Sequence, residues 1–76
     1  MKNKNKTQRI LAAINQTRGR YMALSIATSK YSQTISCKKI AVKDKSIVVQ
    51  DRNDRNRNRV IAMESLQGVR CGDIEA

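Results

Sequence analysis

Apolar residues recur at two different spacings along this 76-residue chain, and the change between them falls at Gly19. Ahead of it, Ile10, Leu11 and Ile14 lie on one helical stripe. Thr7 is placed as an N-cap and Thr17-Arg18-Gly19 as a stop, so the pattern predicts a short helix over residues 7–16. A helix of that length is marginal alone and has to dock its stripe on something larger. Behind Gly19 the period falls to two. Met22, Leu24 and Ile26 alternate with Ala23, Ser25 and Ala27, which predicts a strand with one buried face. Ser29-Lys30 supplies a turn, Ile35 and Cys37 share a face in the next strand, and Ile40 and Val42 continue an extended path. Ser46 to Gln50 is a β-branched run suited to a well-covered strand. After the wholly polar segment Asp51 to Asn58, Arg59 to Met63 resumes as a strand. Glu64 to Gly68 suits one helical turn ending at the glycine, and Val69 to Cys71 makes the last strand. Residues 1–6 read as a basic flexible tail and 72–76 as a second tail. The single domain is therefore expected over 7–71, with its strands over 20–71.

One short N-terminal helix followed by five strands is a mainly β (α+β) fold class. Five short strands in so small a protein leave bare edges unless the sheet curls on itself. The expectation is thus a five-stranded SH3-like or Sm-like small barrel, with the helix capping one open end.

The chain also resembles a known family. Ile47-Val48-Val49-Gln50-Asp51, Arg59-Val60-Ile61-Ala62-Met63 and Glu64-Ser65-Leu66-Gln67-Gly68-Val69 follow one another as in the C-terminal half of phage-type small SH3-like barrels, grouped with the Sm-like WYL barrels. The resemblance covers residues 21–71, and Lys38-Lys39 suits the basic middle of that family. The chain departs from the pattern in having no Trp or Phe and in the arginine content of its hairpin. The resemblance implies a barrel fold, and Sm-like relatives imply RNA binding and ring assembly; fold alone does not carry function.

Charge narrows the partners. Sixteen Lys and Arg stand against six Asp and Glu, a net +10. On a domain with so thin a core, that excess favours a polyanionic partner, DNA or RNA ahead of anionic lipid, although the same charge also serves as a solubilising surface. The alternative partner is a host protein complex, which the chain would engage as a small inhibitor or adaptor. Open sheet edges also allow a homo-oligomer.

Two clusters concentrate the charge. Arg52, Arg55, Arg57 and Arg59 fall within eight residues, interleaved with Asn53, Asn56 and Asn58. Guanidinium groups are planar, always charged and suited to phosphate. On alternate positions of a hairpin, Arg55, Arg57 and Arg59 would project to one side about 7 Å apart, near the spacing of successive backbone phosphates. Asp51 and Asp54 weaken that field and are placed to brace the arginines. Lys2, Lys4, Lys6 and Arg9 form the second cluster, and Lys38 and Lys39, with Arg18 and Arg20, a third. The only aromatics are Tyr21, expected half-buried, and Tyr31, expected at a turn. That is few for a surface that reads single strands by stacking.

Other chemistry finds little material. There is no histidine, and Cys37 and Cys71 lie 34 positions apart without further ligands, so no metal site or cofactor is expected and both thiols read as small core residues. No nucleophile signature, paired carboxylates or glycine-rich phosphate loop is present, so the expectation is not an enzyme. No apolar run approaches the ~20 residues of a membrane span. The apolar stretch after the basic N-terminus is too short for an export signal, so the expected location is the cytoplasm and no membrane partner is expected.

Overall fold

The computed structural model describes the backbone of residues 2–76 and the side chains of residues 6–76. One helix, α1 (Lys2–Gln16), precedes six strands: β1 (Met22–Ala27), β2 (Ser32–Val42), β3 (Ser46–Asp51), β4 (Asn58–Ala62), β5 (Leu66–Cys71) and β6 (Ile74–Glu75). A single 3₁₀ turn (Met63–Ser65) links β4 to β5. All six strands join one antiparallel sheet in the order β4-β3-β2-β1-β5-β6.

The core follows the alternation read from the sequence. Met22, Leu24 and Ile26 of β1, Ile35 and Cys37 of β2, Ile47 and Val49 of β3, Ile61 of β4, and Leu66, Val69 and Cys71 of β5 point to one side of the sheet. Ile10, Ala13 and Ile14 of α1 cover them, with Leu11 and Ile74 packed at the margin. The strands thus turn one face to a common core, which α1 closes over β5 and β6, and the other face to water.

Strand β2, the longest, serves its two neighbours along different halves. Its first half, to Cys37, pairs with β1, and its second half pairs with β3. The register slips between Lys39 and Ala41, so Ile40 is the bulged residue. A bulge adds twist and lets one strand turn from one partner to another. A second irregularity, between Ser25 and Ile26, bends β1 against β5.

Four expectations need correction. The helix begins at Lys2, not Thr7, so the segment read as a flexible tail is helical and Thr7 is no cap. Nothing in the Lys/Asn tract breaks a helix, since it holds neither Gly nor Pro, and polarity alone says nothing against a solvated first turn. The strand count is six, not five, because the expected tail at 72–76 folds back as β6. Cys71 pairs with Ile74 across the two-residue turn Gly72-Asp73. Gly72 stands at φ +61°, the left-handed conformation that this kind of hairpin requires at its first turn position. The backbone of Ala76 then exchanges two hydrogen bonds with that of Val69, at 2.9 and 3.0 Å. The helical turn expected over 64–68 is confined to Met63–Ser65, because Leu66 already turns inward as the first residue of β5. Gly68 therefore ends no helix. It lies beside the returning chain end, where a Cβ would stand 3.1 Å from the Ala76 carbonyl oxygen.

The helix stop falls where the sequence placed it. Thr17 is fully buried, and its hydroxyl donates to the Ile14 carbonyl at 2.6 Å. Arg18 and Gly19 follow with φ of +52° and +81°, and the Arg20 backbone N–H returns to the Thr17 carbonyl at 3.0 Å. Two successive left-handed residues turn the chain away from the helix axis into β1.

Candidate nucleic-acid interface

Register decides where each basic side chain points. Cys37 and Asp51 are paired residues, and Cys37 is buried, so Asp51 also faces inward and its neighbours Gln50 and Arg52 face outward. Lys38, Gln50 and Asn58 lie directly opposite one another across β2, β3 and β4, forming a polar row on the outer face. At the end of that row stands Tyr21. Its ring centroid is 5.5 Å from the Lys38 ammonium and 5.4 Å from the Arg52 guanidinium carbon. Each such contact is worth about 0.5–1 kcal/mol at an exposed site. Two cations thus lie against the one ring, which is not left free as a platform for a base.

The loop between β3 and β4 carries Arg52, Arg55 and Arg57, all exposed. Its shape comes from its two acids. The Asp51 carboxylate accepts the Asn53 backbone N–H at 2.8 Å, and the Asp54 carboxylate accepts that of Asn56 at 3.2 Å. The Asp54 and Arg57 backbone N–H groups add bonds to the carbonyls of Asp51 and Asp54, at 3.3 and 3.2 Å. Two consecutive Asx turns of this kind fix a loop without any apolar residue. Gln50 donates its side-chain amide to the Arg55 carbonyl at 2.8 Å, and the Arg52 backbone N–H reaches the Ser36 carbonyl at 2.9 Å. The acids therefore brace the loop backbone rather than the guanidinium groups. The one ion pair in the loop, Arg57 to Asp54, is long at 4.0 Å and solvent-exposed, so it contributes little.

The alternating row of Arg55, Arg57 and Arg59 does not exist. Arg55 and Arg57 precede β4 and lie in the loop, where no pleat aligns them. Arg59 is in β4 but opposite Val49, a buried residue, so it faces inward beside Cys37 and Asp51. Lys38 and Lys39 also separate. Lys38 joins Tyr21 on the outer face, whereas Lys39 turns inward and donates to the Asn15 side-chain oxygen at 3.0 Å. Lys6 and Arg9 lie elsewhere, on α1, which packs on β5 and β6; the Lys6 ammonium donates to the Gln67 side-chain oxygen at 2.9 Å. Arg18 and Arg20 line an open groove of about 810 Å³ with Asn15, Gln16 and Ile74, and the Arg20 Nε–H is held by the Thr17 carbonyl at 3.1 Å. The side chains of Lys2 and Lys4 lie outside the described residues.

One compact group emerges: Lys38, Arg52, Arg55 and Arg57, with Tyr21, Gln50 and Asn58 between and beneath them. Tyr21, half-buried as expected, and Gln50 are members that the sequence did not place at the site. The alternation before Asp51 is the signal that could have placed Gln50 on the outer face; nothing local announces Tyr21.

Both cysteines are buried free thiols. Burial, with the Asp51 carboxylate adding to it and Arg59 opposing it, pushes the Cys37 thiol up to about 11, so it is neutral at physiological pH. Cys71 donates its S–H to the Tyr21 carbonyl at 3.4 Å. Met22 stands between the two: it pairs with Cys37 on one side, and the next residue, Ala23, pairs with Arg70 on the other. Two strand spacings, about 9–10 Å, exceed the Cα separation a disulfide allows. Native protein is therefore expected to resist a thiol reagent at pH 8 and to release both thiols only in denaturant. Rapid labelling of the folded chain would contradict this placement. Since the folded Cys37 holds its proton to higher pH than the unfolded one, its contribution to stability is complete below about pH 9 and fades as pH rises through about 11.

Among the described residues no helix is long and apolar enough to cross a membrane. No protein-family model, curated protein or solved structure matches the chain.

Proposed function

We propose that this chain is a non-enzymatic module that binds nucleic acid through its phosphates, on a partly closed SH3-like or Sm-like barrel. The order β4-β3-β2-β1-β5, the bulged β2 shared between two halves of the sheet, and the 3₁₀ link into β5 support the barrel reading. The observation that carries the function is the loop of Arg52, Arg55 and Arg57. Its backbone is fixed by Asp51 and Asp54, while its guanidinium groups stay exposed and only weakly paired. Fixing the backbone lowers the ordering cost on binding, and leaving the forks free keeps them available to phosphate oxygens. Lys38, placed beside Arg52 at the Tyr21 ring, extends the same surface across the outer face.

Contacts of this kind position a backbone and carry no base sequence. Anisotropy titrations with mixed-sequence DNA and RNA across a salt series test the reading. Affinity for at least one of them is expected to fall steeply and linearly on a log–log plot against salt, as counterion release requires. A flat salt dependence, or capture of a protein complex that survives nuclease with no measurable nucleic-acid binding, would overturn it.

A further inference from the structure

Strand β4 is one end of the sheet, with no strand on its far side among the described residues. Of the usual guards it carries one, the inward-turned Arg59. It holds no proline and no lysine, and its outward central residue, Val60, is 70% exposed, more than any other large apolar side chain described. Val60 also ends an apolar row, since it lies opposite Val48, which lies opposite Ala41 on the outer face. An exposed apolar edge of this kind is a template for another strand.

We infer that two copies of this chain pair through β4, antiparallel and in register about Val60, to make one continuous sheet across a two-fold axis. Four observations select a second copy in this arrangement. Centring on Val60 pairs all five residues of β4: Val60 with itself, Arg59 with Ile61, and Asn58 with Ala62. The two inner faces then remain on the same side, and the row Ala41–Val48–Val60 continues into its own copy. The antiparallel direction also suits the charge. It carries the two arginine loops to opposite ends of the joint and sets Arg57 against the Met63–Glu64 end of the partner strand. That margin is balanced, because Asp44 and Glu64 offset Lys43 and Lys45. A parallel joint would instead stack two arginine loops side by side. Finally, the opposite edge is not equivalent. Strand β6 and the Ala76 backbone already occupy the outer side of β5 from Val69 to Cys71, so a head-to-tail ring has no matching free edge of full length.

The joint is small. A five-residue edge falls in the class of interfaces that associate weakly, so micromolar dimerisation is expected rather than an obligate pair. Sedimentation velocity on nuclease-treated protein is the test, from about micromolar to millimolar chain, with salt near 0.15 M, where the Debye length is about 8 Å. The expected result is a concentration-dependent shift to twice the monomer mass. A monomer at every concentration, or an assembly larger than a dimer, would overturn the inference. Val60→Lys places like charges opposite each other and is expected to weaken dimerisation at least about tenfold; because Val60 projects into water in the monomer, the variant should keep its circular dichroism spectrum. An unaffected dimer would show that association occurs elsewhere.

Cross-linking tests the register independently. With both native thiols buried, Val60→Cys and Ala62→Cys each add one reactive thiol. Residues 60 oppose each other with Cβ atoms about 5 Å apart, within reach of a short bis-maleimide. Residues 62 stand about 13–14 Å apart, four positions along the paired strands. Efficient cross-linking at 60 with several-fold less at 62 supports the pairing. Equal yields, or more at 62, would overturn it.

Discussion

A Leu24→Ala substitution is expected to destabilise the protein by about 2–5 kcal/mol, the range for truncating a buried leucine. Leu24 is wholly inaccessible to solvent and sits in β1, the strand between β2 and β5. Its paired neighbours Ile35 and Val69 are themselves buried, and Ile10 and Ile14 of α1 belong to the same core. The cavity left behind has little freedom to collapse, because β1 is anchored by strands on both edges. At 0.05–0.15 kcal/mol per residue, the whole chain holds only about 4–11 kcal/mol. The substitution therefore removes a large part of its stability. Thermal melts followed by circular dichroism should show a drop of at least about 8 °C, since each kcal/mol moves the midpoint by about 4–8 °C in domains of this size. Tyr31→Ala, at a half-exposed turn position, should stay within about 0.5 kcal/mol of the parent. A loss below about 1 kcal/mol at Leu24 would show that β1 is not the centre of the core.

Replacing Arg52, Arg55 and Arg57 together with alanine is expected to weaken nucleic-acid binding about a hundredfold near 0.15 M salt and to reduce the salt slope by about 2 to 3 units. Those figures follow from three phosphate contacts, each releasing about 0.7 to 0.9 of a counterion. The fold should survive, because all three side chains are exposed and the Asx turns that shape the loop use Asp51, Asp54 and backbone groups. Arg70→Ala is the matched control. It also removes one exposed arginine, but one already paired with Glu75 through two bonds of 3.0 and 2.6 Å. It should change the slope by well under the roughly 0.7 to 0.9 unit expected of one loop arginine. If the triple variant keeps the parental slope, the loop is not the contact surface; if Arg70→Ala matches any single loop variant, bulk charge rather than this loop governs binding.

Much of the architecture was legible one segment at a time. The alternation of Met22, Leu24 and Ile26 marked the inner face of β1, the run from Ser46 to Gln50 marked β3, and Ile10 and Ile14 marked the buried stripe of the helix. These signals are local, because burial of one face imposes its period directly on the sequence. The two ends were misread for the same reason. Lys2 to Lys6 hold no apolar residue, and Gly72 to Ala76 hold only Ile74 and a terminal alanine, so they carry no period. They form structure through backbone hydrogen bonds, which side-chain patterns do not record.

The basic surface shows the same division. Composition and spacing identified the arginine loop, and its Asp and Asn content agrees with the turns it forms. Which arginines share a face depends on pairing. Arg59 turned inward because Val49 lies opposite it, and Lys38 parted from Lys39 because adjacent strand residues point to opposite sides. Tyr21 gained its place between Lys38 and Arg52 from strand neighbours 17 and 31 positions away in the chain.

The sequence by itself determined that the chain is one N-terminal helix on a small, mainly β sheet, that its core is aliphatic, and that four of its arginines gather between Asp51 and Arg59. Helical and strand periods and charge are properties of neighbouring residues, so they can be read without the fold. Only the tertiary structure decided the sixth strand, the inward turn of Arg59 and Lys39, the joining of Lys38 and Arg52 at one ring, and the bare edge at β4. Each of these depends on which strand lies beside which and in what register. A shift of one residue would reverse every face, and no local pattern records the partner.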